Sequence, residues 1–172
     1  MSKIKLNDLE LKTFTEQDAL DYCQLNSINF DDITELDLSF NELTDITGIK
    51  LFKNLKVLRL EYNNKQIDIS VLKNLTELIL LDINNNQIID ISVIQYLKNL
   101  KNLNISCNKL TDISAVKDLK KLEILDIDYL KLESDQIKYI KFLKNLKELW
   151  CNKGFKDMNI LNQLNKNIKI IK

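Results

Sequence analysis

Apolar residues recur along this chain in one fixed spacing, L-x-x-L-x-L-x-x-N-x-[LI]-x-D-I-S-x-[IVL]-x-x-L-K-N. The pattern restarts at Ile33, Leu55, Leu78, Leu100, Leu122, Leu146 and, cut short, at Ile168, with starts 22 to 24 residues apart. A period this even is the mark of a stacked solenoid. In the segment from Leu100, the residues Leu103 and Ile105 alternate with Asn102, Asn104 and Ser106, the period-2 pattern of a strand with one buried face. Asn108 then turns the chain, and Leu110 and Ile113 point back inside. Asp112 and Ser114 precede AVKDLKK, a short helical or 3-10 turn, because their oxygens accept backbone N–H groups that have no intrahelical partner. No single coil buries its own leucines. Stacked coils do, with each strand about 4.8 Å from the next in a parallel sheet on the inner side and the helical turns outside.

Three stretches depart from the pattern. The repeat at Leu122 has Leu130 where Asn is expected and a longer outer segment, ESDQIKYIKFLKNL. There Ile137, Ile140 and Leu143 fit one helical face and Ser134 is the expected N-cap. The repeat at Leu146 carries Lys153-Gly154 in place of the turn Asn, and the one at Leu55 has an extra residue at Asn63-Asn64. Residues 1–32 lack the period. Within them TEQDALDYCQLN predicts a helix capped by Thr15 with Ala19, Leu20 and Cys23 turned inward, closing the N-terminal end of the core as terminal units of solenoids must. The expected organisation is an N-terminal cap over 1–32 and repeats over 33–172, with six or seven strands. Ile168, Ile170 and Ile171 begin a last strand whose edge is a possible dimer contact, although a monomer is favoured.

The repeat resembles the leucine-rich repeat family, in its 22-residue class, over residues 33 to about 171. That class includes internalin-like bacterial surface proteins and the regulators of protein phosphatase-1. The D-I-S step at Asp45-Ile46, Asp68-Ile69, Asp90-Ile91 and Asp112-Ile113 looks especially close to internalin-type repeats, which usually carry a Pro just after it; this chain has no Pro. The resemblance implies an α/β leucine-rich repeat solenoid, a curved horseshoe segment with a parallel concave β-sheet, short convex helices and an N-terminal helical cap.

Charge and composition narrow the function. The chain has 25 Lys plus Arg against 25 Asp plus Glu, so a globally basic nucleic-acid binder is not expected. It has no His, which removes the commonest general base and zinc ligand. Neither nucleotide-binding nor hydrolase motifs occur. No apolar run approaches the length of a membrane span, and the start, MSKIKLNDLELK, has no apolar signal core. Cys23, Cys107 and Cys151 are far apart and odd in number, which favours thiols in a reducing compartment. A cytoplasmic protein is therefore expected, or a secreted or surface one if the chain is cut from a longer protein.

Two columns of repeated polar residues are architectural. Asn41, Asn63 or Asn64, Asn86 and Asn108 satisfy backbone groups at the coil turns, since one amide both donates and accepts. Asp45, Asp68, Asp90, Asp112 and Asp157 cap the outer turns. Each lies in a separate coil, whereas a calcium site needs oxygens converging on one point.

The residues between the leucines carry the functional signal. Four outward columns run across the sheet: Glu35, Val57, Leu80, Asn102, Ile124, Glu148; then Asp37, Arg59, Asp82, Asn104, Asp126, Trp150; then Ser39, Glu61, Asn84, Ser106, Asp128, Asn152; then Phe40, Tyr62, Asn85, Cys107, Tyr129, Lys153. They are expected to be free of packing duty. They are acidic and hold exposed aromatic and aliphatic groups, the composition of a protein-binding patch. The predicted partner-binding residues are Asp37, Val57, Arg59, Glu61, Tyr62, Leu80, Asp82, Asn84, Asn104, Ile124, Asp126, Asp128, Tyr129 and Trp150. Trp150 either anchors the partner or packs toward Tyr129. Paired carboxylates such as Asp126 and Asp128 are not expected to do acid–base work, because a shallow sheet desolvates them little. The function expected is non-catalytic recognition of a protein with a basic or mixed surface, with no cofactor or metal. A phosphatase-1 regulatory scaffold and a piece of a bacterial adhesin or secreted effector are the alternatives.

Overall fold

The structure, a computed structural model, describes residues 2–7, 9–63 and 65–171. Among these residues eight strands form one open sheet, all parallel and in chain order: β1 (Ser2–Lys5), β2 (Ile33–Asp37), β3 (Val57–Arg59), β4 (Leu80–Asp82), β5 (Asn102–Asn104), β6 (Ile124–Asp126), β7 (Glu148–Trp150) and β8 (Lys169–Ile171). The register follows the repeat. Leu36, Leu58, Leu81, Leu103, Leu125, Leu149 and Ile170 stand side by side across β2 to β8. This is the inward row, and the first and third apolar residues of each unit's strand motif join it in one continuous core that runs the length of the stack. Coils that are unstable alone thus share apolar surface with both neighbours.

The outer side is built from short 3-10 turns at Thr47–Leu51, Ser70–Asn74, Ser92–Tyr96, Ser114–Asp118 and Met158–Gln163. The Asp column starts each of them. The Asp45, Asp68, Asp90, Asp112 and Asp157 carboxylates accept the backbone N–H two residues on, at 2.6 to 2.9 Å. In the longer repeat, a 3-10 turn at Ser134–Gln136 leads into a true α-helix, α2 (Ile137–Ile140), with Ile137, Ile140 and Leu143 buried. Ser134 is not its cap: Gln136 holds the N-cap position of α2 and Glu133 that of the turn before it, and neither makes a side-chain capping bond.

The Asn column ties coil to coil. Asn63, fully buried, donates to Leu60 O at 2.8 Å in its own coil and to Leu38 O at 3.3 Å in the preceding one, and accepts from Leu43 N at 3.1 Å. Asn41, Asn86 and Asn108 make the same kind of bonds. Asn64, the other candidate, lies outside the described residues. The unit with Leu130 has no such amide, and its turn is tied to the next coil by other bonds: Lys131 N donates to Lys153 O at 3.2 Å, Leu132 N to Gly154 O at 2.7 Å, and the Asp128 carboxylate accepts from Asn152 N.

The N-terminal region holds a strand that the repeat pattern does not predict. β1 pairs with β2, and Leu6 N continues the ladder to Asp37 O at 2.8 Å. After it comes α1 (Glu16–Leu25), where Thr15 and Asp18 form a capping box and Ala19 and Cys23 face the core. Leu20 does not; it is 43% exposed. Its place on the inward face is taken by Ala19 and Cys23, whose small side chains allow the helix to sit close to the turn at Thr47–Leu51. Gly48 marks that closeness: a Cβ there would meet Phe14 O at 2.8 Å and collide with Thr15 O.

A candidate concave recognition face

The strands place the first two predicted columns in register. Glu35, Val57, Leu80, Asn102, Ile124, Glu148 and Lys169 align across β2 to β8, as do Asp37, Arg59, Asp82, Asn104, Asp126, Trp150 and Ile171. Both rows alternate with the buried leucines and so point to the solvent side of the sheet. Asp37, Val57, Arg59, Leu80, Asp82, Asn104, Ile124 and Asp126 are half-buried there by their row neighbours, and Trp150 is exposed.

The third column does have a packing duty, contrary to the sequence expectation. Ser39, Asn84 and Ser106 are buried, at 2%, 7% and 5% exposure. Asn84 Nδ2 donates to Asp82 Oδ1 at 2.6 Å, and Ser106 Oγ donates to Asn104 Oδ1 at 2.7 Å. The Asn84 and Ser106 side chains fold back on the residue two positions earlier and support it. Asn84 is therefore a support for Asp82 and leaves the contact surface. Glu61 and Asp128, longer or at less covered positions, stay half-buried.

In the fourth column Phe40, Tyr62, Asn85, Cys107, Tyr129 and Lys153 all have φ between 51° and 60°. A left-handed residue at this point ends each strand and starts the turn, although non-glycine residues adopt it uncommonly. It sets the side chains along the rim of the face. Phe40 and Tyr62 stack there, ring centroids 4.8 Å apart and planes 8° from parallel. Tyr129 lies under Lys153 Nζ, 5.6 Å from its ring centre, and its hydroxyl accepts from Asn152 Nδ2 at 2.8 Å. Phe40 belongs to the surface as much as Tyr62 does. Its signal in the sequence is its position in the column, an exposed aromatic one coil before another.

Six of the predicted residues meet around one hollow of about 170 Å³: Leu80, Asp82, Asn104, Ile124, Asp126 and Trp150, with Asn102 of β5 in register between Leu80 and Ile124. Trp150 thus sits beside Ile124 and Asp126, while Tyr129 is engaged by Lys153 and Asn152. Asp37, Val57, Arg59, Glu61 and Tyr62 lie to the N-terminal side of the hollow, and Asp128 and Tyr129 at the rim.

The charge of the face is concentrated at its centre. At the two ends, Lys3 pairs with Glu35 at 2.8 Å and Lys169 with Glu148 at 3.2 Å, and the Lys3 bond draws the Glu35 carboxyl below its ordinary range. Among the described residues no ion pair reaches Asp37, Glu61, Asp82, Asp126 or Asp128. Two of these carboxyls are pushed upward. Burial comes first, with repulsion from Asp82, a hydrogen bond that protonated Glu61 donates to Asp82 and repulsion from Asp37; together they raise Glu61 to about 7, against the opposing pull of Arg59. Burial raises Asp126 to about 6; the bond from Asp128 N lowers it, and the Asp128 and Asp82 charges raise it. The sheet therefore desolvates its carboxylates more than its shallowness suggests, because neighbouring coils crowd each row at strand spacing. Burial also raises the Cys107 thiol, with Asp126 and Asp128 adding to it.

Among the described residues no group of three or more His, Cys, Asp and Glu side chains is arranged to hold a metal ion, and no helix is long and apolar enough to cross a membrane. Cys23, Cys107 and Cys151 are thiols, not disulfides.

The repeating coil, the parallel inner sheet and the outer 3-10 turns define a solenoid repeat protein. A family model described as Leucine Rich repeats (2 copies) matches residues 31–74 and 76–118, half of the chain. The chain belongs to the leucine-rich repeat family, whose fold commonly mediates protein–protein interaction. Among solved structures it is similar to the internalin InlF of Listeria monocytogenes, with 30% identity and a TM-score of 0.74 over 81% of this chain and 41% of that one. It is also similar to internalin C2 of the same organism, with 26% identity and a TM-score of 0.77 over 99% of this chain and 79% of that one. A leucine-rich repeat protein of Leptospira interrogans shares the fold at 22% identity, TM-score 0.64, over 98% of this chain and 53% of that one. The chain thus spans about two-fifths of the InlF structure and half of the Leptospira one. No curated protein matches the chain.

Proposed function

We propose that this protein is a non-catalytic recognition module that takes a partner protein with a basic or mixed surface on its concave face. The observation that carries the reading is the row of central carboxylates, Asp37, Asp82 and Asp126 with Glu61 and Asp128 beside them, which no cation of the described residues pairs while both ends of the sheet are neutralised. A field dominated by one sign, these five carboxylates against the single Arg59 of the same row, steers a complementary partner and fixes its orientation. Trp150, Tyr62 and Tyr129 supply rigid aromatic area for affinity.

The test is capture of the partner by the wild-type chain and by the D82N, D126N, W150A triple variant. Capture should fall to background while the circular dichroism spectrum is unchanged. Undiminished capture by the folded variant would overturn the concave-face reading.

The three thiols favour a cytoplasmic place of action, since oxidising compartments promote disulfides. The likeness to two internalins favours a second reading, a piece of a bacterial surface adhesin or secreted effector. Fractionating source cells with an antibody to this chain separates them: signal in the cytosol supports the first, and signal in the envelope or medium supports the second.

A further inference from the structure

The hollow on the concave face combines features that suit one kind of occupant. Leu80 and Ile124 provide aliphatic wall, Trp150 an aromatic one, and Asp82 and Asp126 two carboxylates in the same row. Its volume, about 170 Å³, lies below the roughly 300–1,000 Å³ of small-molecule sites. A single side chain is the matching size. The two carboxylates differ in what they still need. Asp82 Oδ1 accepts from Asn84 N at 3.1 Å and Asn84 Nδ2 at 2.6 Å, and its Oδ2 from Asn104 Nδ2 at 3.2 Å. Asp126 accepts from Asp128 N at 2.9 Å through Oδ1. Asp82 is thus held rigid by amides, and Asp126 is the carboxylate with capacity to spare. No cation of the described residues fills the gap: Arg59 lies on the far side of Asp82 from the hollow, in register with Asp37 and Asp82.

Resting on the concave-face reading above, we infer that the hollow is a socket for one lysine or arginine side chain of the partner protein, with the aliphatic stem against Leu80 and Ile124, the charged head at Asp126 and Asp82, and the Trp150 ring over the cation. Each part matches a known preference. Long basic side chains bury their stems on apolar surface and keep the head on polar groups. A cation over an indole face gains most among the aromatic rings. A half-buried carboxylate that sits well above its ordinary range, as Asp126 does, is one that an incoming cation relieves.

Trp150 is the only tryptophan, so its indole reports on the socket alone. The probes are N-acetyl-lysine amide and N-acetyl-arginine amide, with N-acetyl-citrulline amide as the uncharged counterpart of the latter. In the full chain, at least one cationic probe should shift the indole N–H resonance saturably in the millimolar range, and citrulline should not. In D126N the affinity should fall about tenfold or more, the scale of losing one partner of a desolvated charge pair. An equal response to citrulline, an unchanged response in D126N, or no saturable shift in the wild type would each overturn the socket. The wider reading is tested separately with the variant D37N, Y62A, which lies outside the hollow. Partner capture lost in that variant but kept in D126N would remove the socket and leave concave-face recognition standing. Capture kept in both and in the triple variant would remove both.

Discussion

Asn86 Oδ1 accepts the backbone N–H of Asn63 at 3.2 Å, so two residues of the Asn column are bonded to each other across adjacent coils. The Asn86 amide also donates to Leu60 O at 2.9 Å and Ile83 O at 3.0 Å. Every turn in this part of the stack is held both by its own amide and by the next one. The face above these turns inherits their order, since Tyr62 immediately precedes Asn63 and Asn85 immediately precedes Asn86.

Replacing Asn63 by Ala should therefore be among the most damaging single changes. It leaves the Leu43 N–H without a partner in a buried site, at roughly 1–3 kcal/mol, and takes from the Leu60 carbonyl one of its two amide bonds, the other being held by Asn86. A loss of at least about 2 kcal/mol is expected in urea denaturation. Asn152→Ala, at the rim, should cost less than about 1 kcal/mol, because its side chain bonds only the exposed Tyr129 hydroxyl.

Glu61 and Asp126 make stability fall as pH rises. Their folded values, about 7 and about 6, lie above the ordinary carboxyl values of 4.5 and 3.8, so between these limits the folded chain binds more protons than the unfolded one. The cost of ionising them is absent at acid pH and complete above about pH 7. E61Q and D126N should each stabilise the protein by on the order of 1 kcal/mol at about pH 8, after allowance for solvent screening, and by little near pH 4. Thermal melts of the three proteins across that range check the sign. By the same protons, capture of a basic partner should strengthen as pH rises through 6 to 7.

Gly48 is required where α1 approaches the first outer turn, because a methyl group there meets the Phe14 and Thr15 carbonyls. Gly48→Ala should cost about 1–3 kcal/mol, as overpacking does, and loosen the N-terminal helix. Limited proteolysis should cut the variant first in the stretch around Thr15, ahead of any cut in the repeats.

Cys107 should alkylate slowly although it is partly exposed. Its thiol is raised by burial and by the Asp126 and Asp128 carboxylates, and only the thiolate reacts. Iodoacetamide should modify it several-fold faster in a D126N, D128N variant at about pH 8. Cys23 and Cys151, both buried, should stay unmodified until the protein unfolds.

The period from Ile33 onward was enough to determine the solenoid, its strand register and the roles of the Asn and Asp columns, because each of those depends on contacts that repeat with the sequence. An i to i+22 neighbour is the same residue type in the same surroundings, so local pattern and tertiary contact carry one message. β1 was not legible, since SKIK has no leucine spacing and becomes a strand only because β2 offers it an edge. The exposed Leu20, the non-capping Ser134 and the buried Asn84 escaped for a related reason: each is decided by which neighbour reaches the space first. Most of the candidate face was readable as a set of outward positions. Its chemistry was not. The proton affinities of Glu61 and Asp126, the stacked Phe40 and Tyr62 rings, and the hollow that joins Leu80, Asp126 and Trp150 arise between coils whose residues differ from one another. Only stacking brings those non-repeating residues to strand spacing, and desolvation and charge repulsion at that distance set their properties.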